Sequence, residues 1–213
     1  KYNWKYLGNI PVYCRPLSLN YLKTRNKLVY FFIKPFALLI NSFNKKINKI
    51  SLQAFNQFNK EILSLSRDSR FYSINRSKEF FDWRFDKAPF TYEKYKILYD
   101  QNLIGYCVIR IERKFGLNFV WIMDIFINKE YENQYANVLN IIAMKNMYTS
   151  DFITSLLPSK KYTKYYYKSG YIKIPQFIFP HNFYFCINKN KYENEDIYNL
   201  NNWYFSWSLN DVL

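Results

Sequence analysis

Four glycines, seven prolines and one histidine in 213 residues leave little material for several common kinds of site. Glycine provides the backbone sites that let a main chain close on a phosphate or a flavin, so glycine-rich cofactor loops have almost nothing to be built from. The lone histidine, His181, sits in a Pro-His-Asn turn and reads as a loop residue. One imidazole excludes multi-histidine metal sites and argues against a Ser-His-Asp triad. Cys14, Cys107 and Cys186 are odd in number, far apart and without a C-x-x-C pair, a pattern that gives neither a disulfide framework nor a zinc site. No metal is expected. Cys107 lies in an alternating apolar run and is expected as a buried thiol, and a reducing, cytoplasmic setting fits all three.

What is present is apolar and basic. Hydrophobic residues make up 49% of the chain, with 22 tyrosines and 20 phenylalanines, enough for one domain with a sizeable core. The net charge is +15. Two readings stand. One is a polyanionic partner: nucleic acid, acidic lipid headgroups or a phosphorylated substrate. The other is compositional bias, because the lysines are scattered and only short pairs such as Lys45-Lys46 and Lys160-Lys161 occur. Residues 28–40 form the most apolar stretch, interrupted by Lys34-Pro35 and flanked by Lys23, Arg25, Lys27, Lys45 and Lys46. It is too short to span a bilayer. It reads either as a helix in peripheral contact with a membrane surface or as a linker helix packed on the domain.

From Ile50 the pattern becomes regular. A strand over 50–55 precedes helices over 56–65 and 77–85, the second with Ser77 as N-cap. Strands follow over 95–99, 103–112 and 118–127, the first two joined by Asp100-Gln101-Asn102. A helix over 131–147 leads to a strand over 152–157, then a helix over 159–168 stopped by Gly170. Aromatic strands over 171–179, 183–187 and 203–207 close the chain. Hairpin turns make the three middle strands antiparallel, whereas the helical crossover makes 152–157 parallel to 118–127. The opening Lys1–Pro11 is similar to Lys168–Pro175. It is read as the tail of a preceding copy (1–20), with a basic, apolar linker (21–49) and the main domain (50–213) after it. Lys1–Leu17 is accordingly expected to stand outside the core, exposing Trp4 and Val12.

This order of elements resembles the GNAT N-acyltransferase family, more narrowly the C-terminal half of tandem GNAT proteins of bacterial polysaccharide biosynthesis. The resemblance rests on Phe80-Phe81-Asp82-Trp83-Arg84-Phe85, Pro89, Tyr95, Gly105–Arg110, Trp121–Asp124, Lys168-Ser169-Gly170-Tyr171 and Trp203–Trp207. It covers about three-quarters of the chain. It implies an α+β fold: a central mixed, mostly antiparallel sheet with helices on both faces. The strand 118–127 would splay from 152–157 and take the pantetheine arm of acetyl-CoA or another acyl-CoA along Ile125, Phe126 and Ile127. Lys129 and the next helix N-terminus would face the pyrophosphate.

The loop departs from the family's [QR]-x-x-G-x-[GA] pattern. It holds no glycine between Asn128 and Asn137, Tyr135 stands where a glycine is expected, and Glu130 and Glu132 add negative charge. The resemblance makes Tyr166, four residues before Gly170, the acid for a departing thiolate, and Asp124 the general base for an amine. Each also reads as a structural residue. Arg84 would bind an anionic substrate or pair with Asp82 or Asp86; Trp83 would form a sugar platform or join the core. Three functions follow: an N-acyltransferase acting on an amine such as an amino-sugar, a non-catalytic half beside a catalytic one, or a Fem-like transferase using aminoacyl-tRNA.

Overall fold

The structure, a computed structural model, describes residues 3–19, 23–24, 27–42, 49–65, 71–114, 116–175, 183–192 and 194–209. His181, the Lys45-Lys46 pair and residues 176–179 of a predicted strand lie outside them. Strands β1 (Trp4–Asn9) and β2 (Val12–Pro16) precede helix α1 (Lys27–Ser42) and strand β3 (Ile50–Ala54). Two short helices follow, α2 (Lys60–Leu65) and α3 (Lys78–Phe81), the latter continuing as a wider π turn over Asp82–Asp86. Then come β4 (Glu93–Tyr99), β5 (Asn102–Lys114), β6 (Leu117–Ile127) and α4 (Tyr135–Asn146). The chain continues through β7 (Phe152–Leu156), α5 (Thr163–Lys168), β8 (Ile172–Lys173) and β9 (Tyr184–Asn188).

Local chemistry explains several of these boundaries. Asp100 and Gln101 have φ of 47° and 67°, the left-handed pair a two-residue hairpin turn needs. Ser77 accepts a hydrogen bond from the Phe80 amide at 3.3 Å and caps α3 as predicted. Gly170, with φ 76°, ends the helix before it, and the Tyr171 amide donates back to Tyr166 O at 3.0 Å.

Seven strands form one mixed sheet in the order β3-β4-β5-β6-β7-β2-β8. β6 and β7 run parallel over Phe119–Ile122 and Phe152–Ser155, as the crossover requires, and the sheet's other pairings are antiparallel. Apolar side chains fill both faces. On one, Ile97, Ile109, Ile122 and Ile125 pack under Val138, Leu139 and Ile142 of α4. On the other, Tyr106, Val108, Trp121 and Met123 pack against Phe58, Ile62, Phe81 and Phe85. Phe58 stacks on Phe81 with ring centroids 4.0 Å apart. This is the α+β arrangement, with helices on both faces, expected of a GNAT-like sheet.

Two expectations fail. The segment Lys1–Leu17 does not stand wholly outside the core, since its residues 12–17 are built into it. β2 is inserted between β7 and β8, and Val12, Tyr13, Arg15 and Leu17 are all buried, with Arg15 at 0% exposure. Of the two side chains expected to be exposed, Trp4 is, at 56%, and Val12 is not. The outer edge of β7 presents backbone groups that must be paired if buried, and β2 satisfies them. Arg15 then reaches across to donate from Nη1 to Asn140 Oδ1 (2.7 Å) and Ser169 O (2.8 Å), tying β2 to α4 and to the turn after α5. The second failure follows from the first. With that edge taken, residues 203–207 form no strand, only an isolated bridge at Tyr72 and Trp203 and a 3-10 turn at Trp207–Leu209.

Candidate functional site

The sheet opens where the resemblance places its donor slot, and a bulge causes it. Val108 pairs with Asp124 but Ile109 pairs with Ile122, so Met123 is an extra residue in β6. Such an insertion bends the strand and sharpens its twist. Pairing of β6 with β7 ends one residue earlier, at Ile122 and Ser155. Beyond it Met123–Ile127 leaves β7 and stays with β5. There Gly105 lets the strands close up: a Cβ on it would stand 2.1 Å from Phe126 O.

The opening is filled from within the same chain. The Tyr204 hydroxyl donates to Ile125 O, the type of carbonyl a pantetheine amide would use. On the other side the Phe205 amide donates to Pro158 O at 2.8 Å, and Ser159 Oγ donates to Asn201 O at 3.1 Å. The closing segment therefore bridges the two diverging strand ends. Tyr204 packs with Phe71 and Tyr162 on the α4 side (centroids 5.9 and 6.3 Å), while Trp207 meets Trp121 edge-on at 5.4 Å on the opposite face. Tyr135, which replaces the expected glycine, turns inward and is 1% exposed. Its ring lies 4.5 Å from that of Tyr162 and 6.2 Å from that of Tyr166. It obstructs the slot by filling its floor rather than by standing in front of the loop.

Asp124 lies at the bulge with its carboxylate fully engaged. Arg76 donates from Nε to Oδ2 (3.0 Å) and from Nη2 to Oδ1 (3.2 Å), Tyr106 OH donates to Oδ2 (3.1 Å), and the Ile125 amide donates to Oδ1 (3.1 Å). Both side chains are sealed from solvent, at 4% and 0% exposure. Burial pulls the Arg76 guanidinium down, but the Asp124 charge and hydrogen bonds outweigh it and hold Arg76 above its ordinary value. Arg76 also lies 4.9 Å from the Tyr204 ring centroid, linking the ion pair to the closing segment. This arrangement is a buried structural clamp. A base needs a free lone pair within reach of an incoming proton, and here the lone pairs face Arg76, Tyr106 and Ile125.

Tyr166 is equally enclosed. Its hydroxyl lies 2.7 Å from Ser155 Oγ and donates to Leu156 O at 3.3 Å, and the residue is 0% exposed. Burial pushes its phenol well above the ordinary range. The phenol thus stands at the β7 wall of the slot, hydrogen-bonded to the protein.

The loop leading into α4 is a 3-10 stretch over Lys129–Gln134, with Lys129 and Glu130 exposed. Glu132 is neutralised by Lys161 at 2.8 Å, not by Lys129. Ile125, Phe126 and Ile127 are buried at 2, 6 and 3%. An acyl-CoA does not fit these residues as they stand: the carbonyl at Ile125 is used, and aromatic rings occupy the volume the arm would need. Trp83 is 58% exposed, which overturns its reading as a core residue. Arg84 is buried and donates to Trp207 O at 3.4 Å, while Lys78 pairs with Asp82 and Lys94 with Asp86. Arg84 therefore holds the closing segment from the face opposite Tyr204. Sequence reasoning missed Arg76, Tyr106 and Tyr204. A single Arg ahead of a Ser N-cap, and tyrosines among 22, carry no local signal of their convergence.

No protein-family model matches the chain, and no curated protein matches it. Among solved structures it is similar to a GCN5-related N-acetyltransferase from Anabaena variabilis ATCC 29413, at 13% identity over 71% of this chain and 34% of that one, with a TM-score of 0.49. It is similar to a functionally unknown conserved protein from Staphylococcus epidermidis ATCC 12228, at 10% identity over 86% and 61%, with a TM-score of 0.52. A GCN5-related N-acetyltransferase from Kribbella flavida gives 10% identity over 80% and 56%, with a TM-score of 0.45. The chain spans between about a third and three-fifths of the length of these structures. Identities this low bear on the fold alone.

Proposed function

We propose that this chain is a GNAT-like half whose acyl-donor slot is closed by its own aromatic end, and that it serves as the non-catalytic support of a catalytic partner half. The observation that carries the reading is Tyr204 donating to Ile125 O, with Tyr135, Tyr162 and Tyr166 packed behind it. A closed slot explains why the loop tolerates Tyr135 and two glutamates where a phosphate cradle would need glycine. It also gives Asp124 and Tyr166 structural work. A cytoplasmic setting belongs to this reading, since Cys14, Cys107 and Cys186 are free thiols and Cys186 is exposed.

A second reading keeps the acyl-CoA-dependent N-acyltransferase, with an amine such as an amino-sugar as acceptor. Favouring it is the splay itself, opened by the bulge at Met123 with Tyr166 on its wall. In that case residues 203–207 act as a gate that must leave before donor enters. Calorimetry with acetyl-CoA separates the two. The closed half should show a Kd at or above about 1 mM, some −4 kcal/mol, in wild type and in Tyr204→Ala alike. Micromolar binding by wild type would overturn the closed half. Binding gained only in Tyr204→Ala would establish the gate.

A further inference from the structure

The positive charge of this protein is not spread evenly. Residues 1–60 contain eleven Lys and Arg and no Asp or Glu, whereas all sixteen acidic residues lie from Glu61 onward with the other twenty cations. The first sixty residues therefore carry +11 of the net +15. Helix α1 lies in the middle of this segment and has no acidic residue in its first turn.

Its described side chains are sorted by face. At about 100° per residue, Leu28, Phe31, Phe32, Pro35 and Leu38 fall within a strip roughly 120° wide. All five are exposed, with Leu28 at 75%, Phe31 at 73%, Phe32 at 70% and Leu38 at 60%. Lys27 and Lys34, both exposed, border one side of the strip, and Lys34 sits 5.7 Å from the Tyr30 ring centroid. The buried face carries Ala37, at 5%. Among the described side chains of α1, the large apolar groups Leu28, Phe31, Phe32 and Leu38 are thus turned to solvent, where a helix that docked this strip on a core would bury them.

We propose that α1 lies flat on an anionic lipid surface, its Leu-Phe-Phe-Pro-Leu strip in the headgroup–acyl boundary and its lysine row on the lipid phosphates. The pattern is that of an interfacial helix: an apolar strip edged by cations. A surface position also follows from length. Sixteen residues span about 24 Å, short of the roughly 30 Å hydrocarbon core, and among the described residues no helix is long and apolar enough to cross a membrane. A second copy of the chain fits worse, because it would cover the apolar strip but bring no negative charge to the lysine row. A nucleic acid would engage the lysines but leave Leu28 and Leu38 in water. The inference is independent of the state of the donor slot.

Vesicle sedimentation of the full chain tests it. Phosphatidylcholine vesicles containing about a third phosphatidylglycerol should bind the protein, pure phosphatidylcholine only weakly, and high salt should release it. Phe31→Ser/Phe32→Ser should lower partitioning at least about tenfold with an unchanged circular dichroism spectrum, since both rings are already in water. Lys27→Gln/Lys34→Gln should lower it about 25-fold at low salt, at about fivefold per lysine near the surface. Phe31→Trp should shift its emission to the blue on anionic vesicles and be quenched by brominated acyl chains. Absence of vesicle binding overturns the proposal, whether α1 then proves to hold a dimer in sedimentation velocity or the lysines to hold tRNA. So does vesicle binding that ignores the Phe31→Ser/Phe32→Ser change.

Discussion

Replacing Asp124 with Asn asks whether that carboxylate does chemistry or holds the fold. The substitution keeps the size of the side chain and removes its charge, leaving the Arg76 guanidinium buried at 4% exposure without a counter-ion. Breaking a buried pair from one side costs about 3–5 kcal/mol. Arg76→Met should cost a similar amount, because it strands the carboxylate. Removing both charges in Arg76→Met/Asp124→Leu leaves only Tyr106 OH and the Ile125 amide without their acceptor, about 1–3 kcal/mol. The double variant should therefore be more stable than either single one. Urea unfolding followed by tryptophan emission reads this directly. With a slope of about 2 kcal/mol per molar urea, each single change should lower the midpoint by about 1.5–2.5 M. A general base held in a pre-formed site would behave differently, losing turnover with little loss of stability. An Asp124→Asn midpoint within about 0.5 M of wild type, or additive single effects in the double variant, would refute the clamp.

Three further outcomes follow from the packing. Deleting residues 1–17 should abolish cooperative unfolding, because it uncovers the facing edges of β7 and β8 and removes Arg15 from Asn140 and Ser169 O; a two-state transition in the truncated chain would show that β2 is dispensable. Gly105→Ala places a methyl against the Phe126 backbone and should cost about 2–4 kcal/mol, read as a drop in melting temperature, with an unchanged melt contradicting the close approach. Burial holds the phenols of Tyr106, Tyr135, Tyr166, Tyr171 and Tyr204 above their ordinary value. The unfolded chain releases those protons near pH 10, so stability should be fully present below pH 10 and fall above it by about 1.4 kcal/mol per pH unit per tyrosine. Tyrosinate absorbance should then rise together with loss of structure, and free titration of all 22 tyrosines in the folded protein would falsify the buried cluster.

The elements written by short-range physics were legible in the chain itself. Asp100-Gln101 marks a hairpin, Ser77 a cap and Gly170 a stop, and the helix-length crossover after Ile127 forces a parallel partner at Phe152. These suffice for the α+β sheet, its order through β7 and the place where it opens. What no local pattern carries is which distant segment occupies an edge or a gap. Lys1–Pro11 is similar to Lys168–Pro175, so the opening segment read as a remnant, yet backbone pairing at the outer edge of β7 rewards any strand that reaches it; β2 follows directly and Arg15 locks it there. Residues 203–207 are aromatic enough to read as a strand, but with that edge filled their rings go to the next unfilled volume, the splay beside Ile125. Asp124 and Tyr166 lie on the elements their spacing assigns; their enclosure by Arg76, Tyr106, Ser155 and Tyr204 depends on contacts between segments 10 to 80 residues apart. Sequence set the strands, whereas the bulge at Met123 and what fills the space it opens were decided by tertiary packing, because burial rewards any apolar group that fits and leaves no local signature of which one it is.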